Sequence, residues 1–149
     1  MVRSLIAFWV AVAVAAACAV APARAAPGTE PVAGADARAV RSVVAAQLDA
    51  FARDDAARAF SYAAPAIQAI FQTPERFVAM VRTGYPVVYR AAGATFLVPQ
   101  RLGDDIVQGV HLSDSDGAVW LATYRLERQR DGTWRIKGCE VQRASGKTV

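Results

Sequence analysis

Ile106-Val-Gln-Gly-Val-His-Leu-Ser113, Asp114-Ser-Asp-Gly117, Ala118-Val-Trp-Leu-Ala-Thr-Tyr-Arg-Leu-Glu-Arg128, Gln129-Arg-Asp-Gly132, Thr133-Trp-Arg-Ile136. Read in register, this stretch decides the fold. The Gly of Arg130-Asp131-Gly132 suits the left-handed position of a three-residue hairpin loop. Such a loop pairs Arg128 with Trp134, Leu126 with Ile136 and Tyr124 with Gly138. Treated the same way, Ser115-Asp116-Gly117 pairs Leu112 with Trp120, Val110 with Ala122, Gln108 with Tyr124 and Ile106 with Leu126. Both registers converge on one apolar face, whereas a two-residue Asp131-Gly132 loop would set Ile136 beside Glu127. Gly138 opposite Tyr124 marks a candidate bulge that would return Cys139 and Val141 to the inner face.

Outward from this meander, Thr95–Leu102 reads as a preceding strand, with Pro99 indicating an edge or a bulge. The expected strands are therefore Thr95–Leu102, Ile106–Ser113, Ala118–Arg128 and Trp134–Val141. Upstream the period is helical. Val40, Val43, Val44, Gln47, Leu48 and Phe51 make one stripe of a helix expected from a capping Asp36 to about Arg53. Asp54-Asp55 ends it and caps a second helix, Ala56 to Tyr62, expected to bury Phe60. Pro65 opens a third through Phe71, with Ile67, Ile70 and Phe71 inward. Thr73-Pro74-Glu75 starts a fourth, which buries Phe77, Met80 and Val81 and ends at Thr83-Gly84. The expected fold class is α+β, with N-terminal helices packed on a curled antiparallel four-stranded sheet.

The chain has 149 residues, 54% hydrophobic and 20% charged, with one His, two Cys and a net charge of +4. This composition excludes a disordered chain and a disulfide-dense mini-protein, and it cannot supply a usual zinc ligand set. No metal and no cofactor is expected. Much of the apolar excess lies in residues 1–25, which contain no acidic residue. A positive start at Arg3, an apolar run from Leu5 to Val20 and the ending Ala23-Arg24-Ala25 form a signal-peptide pattern, with cleavage expected after Ala25. Cys18 has Ala15 at the position where a lipobox carries Leu, so it reads as a discarded leader residue. Loss of Arg3 and Arg24 leaves 15 basic against 13 acidic residues, a net charge of +2. With no Lys/Arg-rich run, nucleic acid is not an expected partner. The organisation expected is a signal peptide at 1–25, a flexible leader at 26–35, one domain at 36–142 and a tail at 143–149, in a periplasmic or secreted protein without a stable membrane anchor.

The chemistry-bearing candidates are few. Gln108 and Tyr124 are polar cross-strand neighbours on an apolar face. Either they satisfy each other or a helix terminus inside the core, or they line a pocket between sheet and helices, joined by Tyr62 or Tyr85 and floored by Trp120 and Trp134. An acid–base enzyme would need a carboxylate or His in such a pocket. Asp49 falls off the apolar stripe, His111 has outward parity, and the parity of Glu140 depends on the bulge. Cys139 reads as a buried strand residue or an intermolecular disulfide half. Val119 and Leu121 on the opposite face suggest a homodimer surface.

Several segments together resemble a known family. They are Gln47-Leu48-x-Ala50-Phe51-x-x-Asp54-Asp55, Ala59-Phe60-Ser61-Tyr62-Ala63-x-Pro65-x-Ile67, Thr73-Pro74-Glu75-x-Phe77-x-x-Met80-Val81-Arg82-x-Gly84-Tyr85, Gln108-x-Val110, Tyr124-x-Leu126-x-x-Gln129 and Asp131-Gly132-x-Trp134-Arg135-Ile136-x-Gly138-Cys139. The pattern is similar to the domain-of-unknown-function 4864 family of exported bacterial proteins, from about Val40 to Val141. That resemblance implies export and assigns no activity. The helices-then-sheet layout is similar to the nuclear transport factor 2-like, or cystatin-like, cone folds, which host isomerases, dehydratases, ligand carriers and dimerisation modules. The expected function is non-catalytic binding of a small apolar or amphipathic ligand, or of a protein partner, in the helix–sheet pocket. The alternatives are a lyase or isomerase using Tyr and a carboxylate, and a structural dimerisation module.

Overall fold

The computed structural model describes residues 29–145. The signal segment with Cys18 and Ala25, the start of the leader and residues 146–149 of the tail lie outside the described residues. Among the described residues, no helix is long and apolar enough to cross a membrane.

The chain is α+β. Among the described residues, a short strand β1 (Glu30–Pro31) is followed by five helices: α1 (Gly34–Ala52), α2 (Ala56–Ser61), α3 (Pro65–Phe71), α4 (Pro74–Gly84) and α5 (Pro86–Tyr89). The strands β2 (Gly93–Phe96), β3 (Gln100–Leu102), β4 (Asp105–Ser113), β5 (Val119–Arg128) and β6 (Trp134–Arg143) complete an antiparallel sheet ordered β1-β3-β4-β5-β6, with β2 also on β4.

The helical punctuation follows the sequence closely. The stripe of α1 buries Val40, Val44, Gln47 and Phe51. Its start differs from expectation: Ala33 is the N-cap and makes no side-chain cap bond. Asp36 sits in the first turn instead, where its carboxylate favours the helix dipole and pairs with Arg101 at 3.3 Å. Asp54 ends α1 in a left-handed conformation, φ 57°. Arg90 locks this corner by donating to both Asp54 oxygens and to the Phe51 and Ala52 carbonyls. Asp55 caps α2, accepting from the Arg58 amide at 3.0 Å, and Thr73 caps α4, accepting from Arg76. Inside α2 the fully buried residue is Ala59, while Phe60 is half-buried. On α3, Ile67 and Phe71 turn inward but Ile70 is 69% exposed, because a two-turn helix presents only one narrow stripe. Pro86, expected only to stop α4, also opens the further turn α5, which buries Val87, Val88 and Tyr89.

The sheet has six strands rather than four. Thr95–Leu102 is divided into β2 and β3 at Leu97-Val98-Pro99, because Pro99 has no N–H to give to the ladder. The Pro99 carbonyl accepts instead from the Val32 amide at 2.8 Å. Val32 is buried and Glu30–Pro31 pairs with Gln100–Arg101, so the end of the expected flexible leader is built into the fold.

The β4–β5 register matches expectation at each pair, including Gln108 with Tyr124 and Leu112 with Trp120. In β5–β6, Leu126 faces Ile136, but a bulge at Lys137 then sets Gly138 opposite Arg125 and Cys139 opposite Tyr124. The bulge thus falls one pair before the expected position. It returns Cys139 and Val141 to the helix-facing side, where both pack against the core.

Candidate functional site

The helices do not fill the concave side of the sheet. A cavity of about 230 Å³ remains between α1, α3, α4, α5 and the β5–β6 pair. Its inner wall is made by Gln47, Phe51, Phe77, Val81, Val88 and Tyr124, all buried. The half-buried Ile67, Phe71, Met80, Tyr85, Gly138 and Cys139 form its outer rim. The apolar wall follows directly from the helical stripes. Phe77 is its hub, with ring centroids 6.0 Å from Phe51, 5.4 Å from Phe60 and 5.6 Å from Phe71.

Tyr124 is the unusual group on that wall. It is 1% exposed, and its hydroxyl is buried without a hydrogen-bonding partner. The Cys139 thiol of the facing strand is the polar neighbour that acts on its titration. Burial drives the Tyr124 hydroxyl well above the ordinary phenol range. Burial likewise pushes the Cys139 thiol up to about 12, Tyr124 acting against that rise and Glu140 adding to it. Both groups are therefore protonated at neutral pH, and the thiol is not an activated nucleophile. Gln47 adds an amide: its Nε2 donates to the Ala59 carbonyl at 3.1 Å, which ties α1 to α2.

The structure separates the six expected pocket residues. Tyr124 and Tyr85 line the cavity. Gln108 does not: it is fully buried beside Tyr124 in register, but its Nε2 donates to the Leu97 and Gly109 carbonyls at 2.8 and 2.9 Å. That bond bridges the β2–β3 interruption, so Gln108 satisfies backbone left over by Pro99. Its Oε1 has no partner. Trp120 lies in a neighbouring groove with Pro86, Arg90 and Val141, its Nε1 donating to Asp114 at 2.9 Å. Trp134 and Tyr62 share a third depression with Val43 and Arg135. The two tryptophans therefore do not floor a common pocket with Tyr124. Each sits near an end of its strand, too far along the sheet to reach the middle.

Among the described residues, no Asp, Glu or His lines the cavity. Asp49 is ion-paired at the surface with Arg53 and Arg58, and His111 and Glu140 are exposed. Val119, 43% exposed, and the half-buried Leu121 lie on the opposite face of the sheet. The liners Phe51, Phe71, Ile67 and Met80 read as ordinary core in the sequence, and Val88 falls in a stretch read as neither helix nor strand. Helical periodicity shows which face turns inward but not whether that face is filled.

The sequence pattern of the domain of unknown function DUF4864 matches residues 33–149. The chain belongs to the DUF4864 family. The DUF4864 match takes in every element that builds the cavity, from α1 to β6. No characterised protein was found to match this DUF4864 chain.

Proposed function

We propose that this DUF4864 domain is a non-catalytic binding module whose helix–sheet cavity takes a small apolar or amphipathic molecule. The observation that carries this reading is the cavity itself, apolar on all sides except for Tyr124, Cys139, Gln47 and Tyr85. A dry cavity of ~150 Å³ holds benzene, so by scaling this one accommodates on the order of ten non-hydrogen atoms. The absence of a lining carboxylate or imidazole among the described residues leaves a general base unprovided, which favours binding over lyase or isomerase chemistry. The order of helices then curled sheet supports a cone of the nuclear transport factor 2-like kind. The leader pattern at 1–25 supports export, with the domain acting in the periplasm or outside the cell.

Titration of the full chain with benzene, followed by protein-observed NMR, tests the binding reading. Shifts are expected at Val81, Tyr124 and Cys139, and Ile67→Trp at the rim should suppress them. A spectrum unchanged at benzene saturation would sink it.

A further inference from the structure

Three features of the cavity wall bear on what it would hold. First, no charged side chain lines it among the described residues. Cations adjacent to lining residues are engaged elsewhere: Arg82, next to Val81, donates to the Tyr89 hydroxyl at 2.9 Å, and Lys137, between Ile136 and Gly138, is paired with Asp105 at 3.0 Å. A carboxylate drawn inside would lose its hydration and find no counter-ion, while a neutral molecule loses far less. Second, the wall holds one buried hydroxyl with no partner, that of Tyr124. A lone buried hydroxyl is a standing cost that a ligand's own polar atom can remove. Third, Cys139 stands opposite Tyr124 on the facing strand and lines the same cavity, and its thiol makes one long polar contact among the described residues, 3.9 Å to the Glu140 carbonyl. The thiol is a weak donor, so turning it aside forfeits little.

We propose that the cavity selects an uncharged, single-ring-sized molecule bearing one hydroxyl or carbonyl, which takes the Tyr124 hydroxyl as its partner once the Cys139 thiol turns aside. This rests on the ligand-binding reading above and narrows it to a chemical class. Tyr124 is the specificity-determining residue, and Cys139 is a small shutter over it. The size limit comes from the cavity volume, the neutrality from the uncharged wall, and the single polar atom from the single orphan hydroxyl.

Toluene, benzyl alcohol and benzoate share a ring and carry in turn no polar group, one neutral hydroxyl and a charged carboxylate. Their affinities for the full chain, for Tyr124→Phe and for Cys139→Ala, measured by NMR titration at neutral pH, form the test. Benzyl alcohol is expected to bind at least tenfold more tightly than benzoate. The ratio of benzyl alcohol to toluene affinity should fall roughly three- to tenfold in Tyr124→Phe. The same ratio should hold or rise in Cys139→Ala, where the shutter is gone. Benzoate binding as well as the alcohol, or a ratio unmoved by Tyr124→Phe, overturns the proposal while leaving the cavity a binding site. Failure of all three probes to bind folded protein overturns the binding reading and this proposal together.

Discussion

Cys139 on β6 stands directly opposite Tyr124 on β5, and it does so because Lys137 is an extra residue in β6. Without that bulge Gly138 would face Tyr124, and Cys139 would point to solvent. With it, a thiol and a buried phenol face each other across the strand pair on the wall of an apolar cavity. The same Lys137 donates at 3.0 Å to Asp105, which also accepts from Arg125 at 2.6 Å. The bulge is thus held by an ion cluster on one face while it sets the cavity wall on the other.

Removing the Tyr124 hydroxyl should not weaken the fold. It has no partner to lose, and an unsatisfied buried hydroxyl is itself unfavourable by about 1–3 kcal/mol. Tyr124→Phe is therefore expected to leave stability unchanged or raise it by about 1 kcal/mol in urea denaturation. A loss above that size would show that the hydroxyl is satisfied in solution.

Gln108 gives a contrasting case. Gln108→Leu removes two bonds to carbonyls but also removes the orphaned Oε1, and Gly109 still accepts from the Leu97 amide at 2.9 Å. These effects nearly offset, so a cost of about 1 kcal/mol is expected. Gln108→Glu instead faces two carbonyls with a buried charge and should cost about 3–5 kcal/mol. Urea midpoints of the two variants check the difference, and equal costs would contradict this account.

Asp105 makes stability depend on acid. Burial raises its carboxyl, but bonding to Lys137 and Arg125 outweighs burial and holds it below the usual value of 3.8. A depressed carboxyl stabilises the fold above its unfolded-state value, and that contribution disappears as the pH falls through the lower folded-state value. Urea midpoints measured from pH 7 downward should therefore drop below about pH 4. Asp105→Asn should cost about 2 kcal/mol at pH 7 and flatten this acid limb. An unchanged limb would remove Asp105 from the argument.

Tyr85 lines both the cavity and the neighbouring groove at Trp120, at the joint between α4 and α5. Tyr85→Ala should join the two spaces. Exchange of benzene, read from NMR line shapes, is expected to quicken several-fold, with a stability loss of about 1–3 kcal/mol for a half-buried ring. Unaltered exchange would show that access lies elsewhere, between Ile67 and Phe71.

Much of the fold is determined by local pattern. The stripe from Val40 to Phe51, the caps at Asp55 and Thr73, and the hairpin loops ending in Gly117 and Gly132 each act over a few residues, so their chemistry is visible in order along the chain. The β4–β5 register, and with it the Gln108–Tyr124 pair, follows from the same local logic. Other features required the assembled molecule. Pro99 signalled an irregular strand, but only the assembled sheet shows Val32 taking the Pro99 carbonyl and Gln108 that of Leu97. The division of Tyr124 from Trp120, Trp134 and Tyr62 is equally non-local. Parity states that a side chain faces inward, whereas the distance along the strand and the helix lying above it decide which space it enters. A cavity is a packing deficit among six elements. Apolar periodicity is the same whether that space is filled or empty, and so the chain's order alone could place Tyr124 inside but not show that its hydroxyl would be left without a partner.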